Sequence, residues 1–407
     1  MTLGLVAPAR QAGAAAREFH TMGTVAGVLV HTEVRPTLAA PRPAGLGAVT
    51  AEDCHRFGGE ASCPGGSGWK DGGWDRLDEA AVGLSGHGVK GGVSGRLGGA
   101  GRTHESAAPA ALAGACQNLI EELGGLWSRF SAGGDIARLN EAGGAPVSVE
   151  RRTDTLLRSA KRLAEATGGA ADPTIGALVE AWEAAWGGEP PPAELTEAMG
   201  RVGPHRLESP EPGVWRLISG AQLDLGGLAK GQAADLARDL CREGGAAGAL
   251  VTLGTSSVSV FGNHPSGRPW RIGLRPAGGE ISQAIGWVEL DSGALSTSSA
   301  GSVSGSASGS DPGAGSRAAL DPATGRLARS DVRAVSVIAA NGLAAEAYST
   351  AVLVRGSAWA WDKHIQATGS DGAFEAVIQT ADAVLATPGL RGRLRLTTRA
   401  QPSVMGP

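Results

Sequence analysis

Apolar positions follow two periods along this chain. Leu119, Ile120, Leu123, Leu126 and Trp127 recur at i, i+1, i+4, i+7 and i+8, which puts one apolar face on a helix. Leu156, Leu157, Ala160, Leu163 and Ala164 repeat the pattern up to Gly168-Gly169, a helix stop. Asp172 then reads as a cap, with Pro173 at the first position of a further helix. Leu228, Leu236, Ala237 and Leu240 predict another helix from about Leu228, and Leu343 to Leu353 one more. Strand patterns occur at 17–34, Val214–Ile218, Trp270–Leu274, Ile285–Leu290 and Val332–Ala340, and Ala249–Gly262 reads as two strands around a Gly254-Thr255-Ser256-Ser257 turn. A short helix is expected near Ala373–Val377, and GRLRLTTR reads as a last, basic strand. Ser296–Arg317 is rich in serine and glycine and is expected to be a loop. Long helices and many strands without strict βαβ alternation predict a mixed α+β fold.

Composition changes this picture in one place. The chain has 407 residues, of which 65 are glycine, and the excess is concentrated between residues 35 and 110. Neither period persists there, so the expected organisation is a first strand at 17–34, a low-complexity insertion at 35–110 and a main domain over 111–400. Such a composition buries too little apolar surface to offset ordering costs of about 1–2 kcal/mol per residue. A deletion of the insertion is therefore expected to leave a soluble protein that still binds its ligand; loss of either in a purified deletion variant would contradict this.

Lys+Arg 36 against Asp+Glu 40 gives a net charge of -4 with scattered basic residues, which argues against nucleic acid as a partner. The four cysteines form no C-x-x-C, and Cys54, His55 and Cys63 lack a fourth ligand for zinc. No signal-peptide pattern, lipobox or long apolar run is present, so a reduced, cytoplasmic protein without stable membrane insertion is expected.

Candidate chemistry lies in two stretches. In LDLGGLAKGQAADLARDL (Leu223–Leu240), paired glycines precede a helix whose free N–H groups favour an anion, and Lys230 in the first turn can hold a phosphate as a point charge. The same residues also suit a tight turn with a surface lysine. In AAEAYSTAVLVRG, Glu346 and Thr350 are four apart on one helix face. With a glycine turn's carbonyls opposite, they would make a hard-oxygen site suited to Mg²⁺; alone, the spacing is also that of an ordinary cap and a buried threonine. No phosphate loop, no clean GxGxxG after a strand, and no GxSxG or HExxH pattern occurs, and His31/Glu33 has no PCxxC to complete a deaminase site.

Taken in order, Met22-Gly23-Thr24, Phe130 followed by GGDIARLN, ADPTIGAL, LDLGGLAKGQAAD, the Gly254 turn, LDPATGR and AEAYSTA resemble the successive blocks of the FAD:protein FMN transferases, the ApbE-like flavin transferases. The resemblance covers about 17–34 and Cys116 to the C-terminus. It implies a single mixed α/β domain interrupted near its N-terminus by the glycine-rich insertion. It also implies FAD as substrate, Mg²⁺ as cofactor, and FMN attached to a Ser/Thr hydroxyl of an acceptor flavoprotein as AMP leaves. On matching positions, flavin contact falls to Met22, Phe130, Ala170, Ala171, Asp172, Lys230 and Leu320. The metal falls to the Gly227 carbonyl, Glu346 and Thr350, and catalysis to Lys230 and Asp321, with Asp321 and Thr324 shaping their loop. The chain departs from the family pattern at Glu346, where aspartate is usual, at Ala171, where an aromatic is usual, and at Gly254–Ser257 in place of glycine-glycine-aspartate. Ala318 stands where the family has its candidate base, a histidine. The alternatives it leaves are a catalytically weakened FAD-binding module and an FAD hydrolase giving FMN and AMP.

Overall fold

The computed structural model describes residues 13–22, 24–32, 108–185, 188–278, 284–300, 319–367, 373–397 and 402–404. The insertion up to residue 107, Gly23 and Ala318 lie outside them. The helices are α1 (Pro109–Trp127), α2 (Asp135–Glu141), α3 (Arg151–Ala166), α4 (Gly176–Ala184), α5 (Pro192–Met199), α6 (Ala229–Glu243), α7 (Gly342–Arg355) and α8 (Ser357–Ala367). Pro109 and Ala110, expected to close the insertion, are the first turn of α1, where a proline lacks no needed donor.

Among the described residues, nine strands form one sheet in the order β1 (Ala14–Thr21), β2 (Thr24–His31), β6 (Gly248–Leu253), β7 (Ser257–Gly262), β10 (Ser292–Ser299), β13 (Ala334–Ala339), β14 (Phe374–Gln379), β15 (Val384–Ala386) and β17 (Pro402–Val404). Only the last pairing is parallel. β8 (Trp270–Leu274), β9 (Gly286–Leu290) and β16 (Leu394–Leu396) make a small sheet. β3 (Val147–Ser148), β5 (Val214–Leu217) and β4 (Leu207–Glu211) make another, and β11 (Leu320–Asp321) and β12 (Arg326–Leu327) a hairpin.

Strand period sorts the main sheet's side chains into two cores. Val28, Val30, Ala249, Val251 and Leu253 face α1 and α6, while Ala294, Val335 and Val337 continue the same face under α7. Leu29, Leu250, Val260, Leu295 and Ile338 face the opposite way, onto Trp270, Ile272, Val288 and Leu290 of the small sheet. The result is helices, large sheet and small sheet in layers, the mixed α+β arrangement expected from the sequence. Cys116 of α1 and Cys241 of α6 meet in the helix-side core, both free, with sulfurs 3.3 Å apart. No described helix is long and apolar enough to cross a membrane.

Four local expectations change. The stretch at 17–34 is a hairpin rather than one strand, because β1 buries only Phe19 and so shows no apolar period of its own. Ser296–Ser299, expected as loop, belongs to β10 in the middle of the sheet, where its hydroxyls find partners: Ser298 pairs with Ser349 at 2.9 Å and Thr297 with Ser336 at 2.8 Å. Phe374–Gln379, expected as helix, is β14, because its run of apolar residues is buried between β13 and β15. Leu223–Leu225 is not a strand: Asn140 clamps Leu223 through both its backbone groups, at 2.8 and 3.0 Å.

The helices α6 and α7 cross at two glycines. A Cβ on Gly231 would lie 2.2 Å from the Gly342 carbonyl oxygen, and one on Gly342 would lie 2.4 Å from that of Gly231. Gly231→Ala is expected to cost about 1–3 kcal/mol or more, since backbone rather than a side-chain tip must move. Unfolding in denaturant measures this, and an unchanged midpoint would contradict the close crossing.

Candidate active site

Four segments converge at one end of the main sheet: the β1–β2 turn, the β6–β7 turn, the Gly226-Gly227 turn before α6, and the first half of α7. Met22 leaves β1 with φ 50°, and its side chain lies against Gly124 of α1. Gly254, at φ +65°, sits so close to Thr24 that a Cβ would fall 2.7 Å from its hydroxyl oxygen, which ties the two turns together.

Asp224 builds the glycine turn. Its Oδ1 accepts the Gly226 N–H at 2.7 Å, and its Oδ2 lies 3.0 Å from Nε of the nearly buried Arg129. Arg129 also pairs with Glu183 at 2.6 Å and Glu180 at 3.5 Å, both on α4, and its guanidinium carbon lies 4.1 Å from the centroid of the Phe130 ring. Phe130 itself is 71% exposed. Lys230 folds back on the same turn, its Nζ donating to the Gly226 carbonyl at 2.6 Å.

Asn341 caps α7, its Oδ1 accepting the Ala344 N–H at 2.8 Å, and the four-residue spacing within the helix places Glu346 and Thr350 on one face. A Cβ on Gly227 would lie 3.9 Å from Thr350 Oγ1, so the turn and this face of α7 are in contact. Glu346 is 3% exposed. Its Oε1 accepts a hydrogen bond from Ser257 Oγ, and its Oε2 is buried with no hydrogen-bond partner. A buried carboxylate oxygen left alone is costly, and a cation is one remedy. Among the described residues no group of three or more His, Cys, Asp or Glu side chains is placed to hold a metal ion. A cation here would need hydroxyl and carbonyl oxygens beside the one carboxylate. Glu346, Thr350 and the Gly227 turn are such a donor set, and its all-oxygen chemistry fits Mg²⁺.

The other candidates stand around this centre. Ala170 and Ala171 are buried, and Ala170 packs on Ala351, the residue after Thr350 on α7, and on Val354, one turn beyond it. Asp172 was expected to cap a helix at Pro173. It instead accepts the Thr174 N–H and hydroxyl at 2.8 and 2.7 Å, and α4 starts at Gly176, because residues 173–176 pair with 222–224. Burial pushes the Asp172 carboxyl above its ordinary range, against the lowering effect of the Thr174 donors. Leu320 packs with Leu178 and Leu195. Asp321 uses both oxygens in its own turn, accepting from Ala323 N–H and the Thr324 hydroxyl, each at 3.0 Å. Trp182 of α4 donates to the Gly325 carbonyl at 2.8 Å, tying this hairpin to the helix that also holds Arg129. Arg129, Asp224 and Ser257 were not among the expected site residues; Asp224, an acid between two buried leucines, and Ser257, at the end of the turn that departs from the family pattern, each left a signal in the sequence.

Residues 98–372 match the sequence profile of the ApbE family. The FAD:protein FMN transferase of Treponema pallidum is 31% identical over 245 residues, which is 54% of this chain and 65% of that protein. That of Rhodobacter capsulatus is 31% identical over 279 residues, 65% of this chain and 50% of the relative. The chain thus spans under two thirds of the length of these relatives. In structure, the apo flavinyl transferase ApbE of Pseudomonas stutzeri aligns with a TM-score of 0.64 at 19% identity, covering 95% of this chain and 99% of that one. The ApbE protein of Thermotoga maritima gives 0.62 at 21%, covering 95% and 97%. The fold is shared at that level, and with the profile match spanning more than half its length, the chain belongs to the ApbE family.

Proposed function

We propose that this protein transfers FMN from FAD to a Ser/Thr hydroxyl of an acceptor flavoprotein, with Mg²⁺ as cofactor and AMP as leaving group. The observation that carries the reading is Glu346: a buried carboxylate with one oxygen unpartnered, on the helix face that meets the Gly227 turn. The names of the relatives supply the reaction type, and the oxygen donor set supports the metal.

Phe130, exposed and backed by Arg129, offers a face for the flavin ring. Lys230, released from the Gly226 carbonyl, places its ammonium against the pyrophosphate, with the first N–H groups of α6 behind it. Glu346, Thr350 and the Gly227 carbonyl would hold Mg²⁺, which when bound neutralises charge on the phosphoanhydride oxygens. The acceptor hydroxyl oxygen bonds to the phosphorus of the FMN half as the bond to the AMP phosphate oxygen breaks. AMP keeps the electron pair, and the hydroxyl proton goes to water. Asp321 holds the neighbouring turn through Ala323 and Thr324, so its contribution is to the shape of the pocket wall.

Incubation with FAD, Mg²⁺ and a peptide carrying a flavin-acceptor serine tests the reading. The peptide is expected to gain the mass of FMN less water, and a peptide with alanine at that serine to stay unmodified. Modification of both, or of neither, would overturn it.

A further inference from the structure

Resting on the metal reading above, we propose that Ser257 is a positioning residue for the metal-binding carboxylate: its hydroxyl fixes Glu346 Oε1 so that Oε2 alone is presented to the cation. Ser257 opens β7, and its side chain points to the helix layer, buried, as does that of its cross-strand partner Ser296 on β10. Ser257 Oγ donates to Glu346 Oε1. A serine hydroxyl carries one proton, so with that proton donated in the hydrogen bond to the carboxylate, the Ser256 hydroxyl 3.3 Å away must be the donor to Ser257. The hydrogen-bond chain therefore runs from Ser256 through Ser257 to Glu346, which accepts at its end, each donor polarising the next.

The helix that carries the carboxylate is held on the neighbouring strand, β10. Ser349 Oγ lies 3.2 Å from Ser296 Oγ and 2.9 Å from Ser298 Oγ, and 3.1 Å from the Glu346 carbonyl. Hydroxyls of β10 thus fix α7 in depth, while Ser257 fixes the rotation of the Glu346 carboxyl plane. A glutamate has one more rotatable bond than an aspartate and needs such a constraint to present a single oxygen in one place. With Oε1 taken, Oε2 is the oxygen left without a protein partner.

Removing a group that orients a metal ligand typically lowers metal affinity about 10–100-fold. Ser257→Ala is expected to weaken Mn²⁺ binding, followed through the free-ion EPR signal with and without FAD, by that factor. Ser257→Thr, which keeps the hydroxyl, should retain affinity near the wild type. Combining Ser257→Ala with Glu346→Ala should weaken binding no further than Glu346→Ala alone, because Ser257 acts through the carboxylate. Circular dichroism and thermal unfolding confirm the fold of each variant. Wild-type affinity in Ser257→Ala would overturn the positioning role while leaving the metal site in place. Unchanged affinity in Glu346→Ala would instead overturn the metal reading itself, and the role of Ser257 with it.

Discussion

Glu346→Ala is expected to lower Mg²⁺-dependent FMN transfer by about 10²–10³-fold, the usual loss when one charge-stabilising group is removed from a reaction centre. The fold should survive. Glu346 is buried, yet its Oε2 makes no hydrogen bond, so without metal the carboxylate is an incompletely compensated buried charge. Replacing it leaves the Ser257 hydroxyl without its acceptor but removes that charge, and the two effects oppose each other. The more telling readout is therefore ligand linkage. A metal at 100 times its Kd stabilises the native state by about 2.7 kcal/mol. The wild type should gain thermal stability with Mg²⁺, and Glu346→Ala and Glu346→Gln should not. Equal gains in all three proteins would place the cation elsewhere.

Ala318→His is the second large effect. The family resemblance puts a histidine at this position as the candidate base, and this chain has none. A positioned general base contributes about 10²–10⁴-fold, so restoring it is expected to raise the rate of FMN transfer towards that range without changing FAD affinity. Phosphoryl transfer through a loose transition state leans more on positioning and charge neutralisation than on proton abstraction. The native protein is accordingly expected to be a slow transferase rather than an inert one, sustained by Lys230 and Mg²⁺. Single-turnover rates of the two proteins with the same acceptor peptide measure the difference. A faster native protein than the variant would show that the missing ring is not what limits it.

Much of the fold was readable because period reports burial. α1, α3, α6 and α7 bury one clear face each or a whole length, β8 alternates between core and solvent, and the apolar runs of β6 and β7 are marked off by the Gly254 turn between them. The failures have separate physical causes. β10 reads as a linker because serine is a loop residue by composition, and only the tertiary partners Ser349 and Ser336 make its hydroxyls acceptable inside a sheet. β14 reads as a helix because a strand buried on both faces has no alternation to show. β1 is polar because it is an edge strand.

The site divides in the same way. Lys230 with the glycine turn, and Glu346 with Thr350, stood out as candidates because each set lies within a few residues of chain, and the family resemblance gave them their expected roles. The contacts of Arg129 with Asp224 and of Ser257 with Glu346 were not visible, since these partners are remote in sequence and meet only through the packing of layers. Asp172 and Asp321 were seen as functional positions, while their geometry shows what each does locally: both hold tight turns with their own carboxylates.

The most direct measurement is a joint time course of AMP and FMN-peptide from FAD and an acceptor peptide, with metal removed by chelation and then restored with Mg²⁺. The two products are expected to appear in equal amounts, only after Mg²⁺ is restored, and not with Glu346→Ala. FAD bound with neither product would make the protein a flavin-binding module, and AMP without FMN-peptide an FAD hydrolase; either result would contradict a Mg²⁺-dependent transferase.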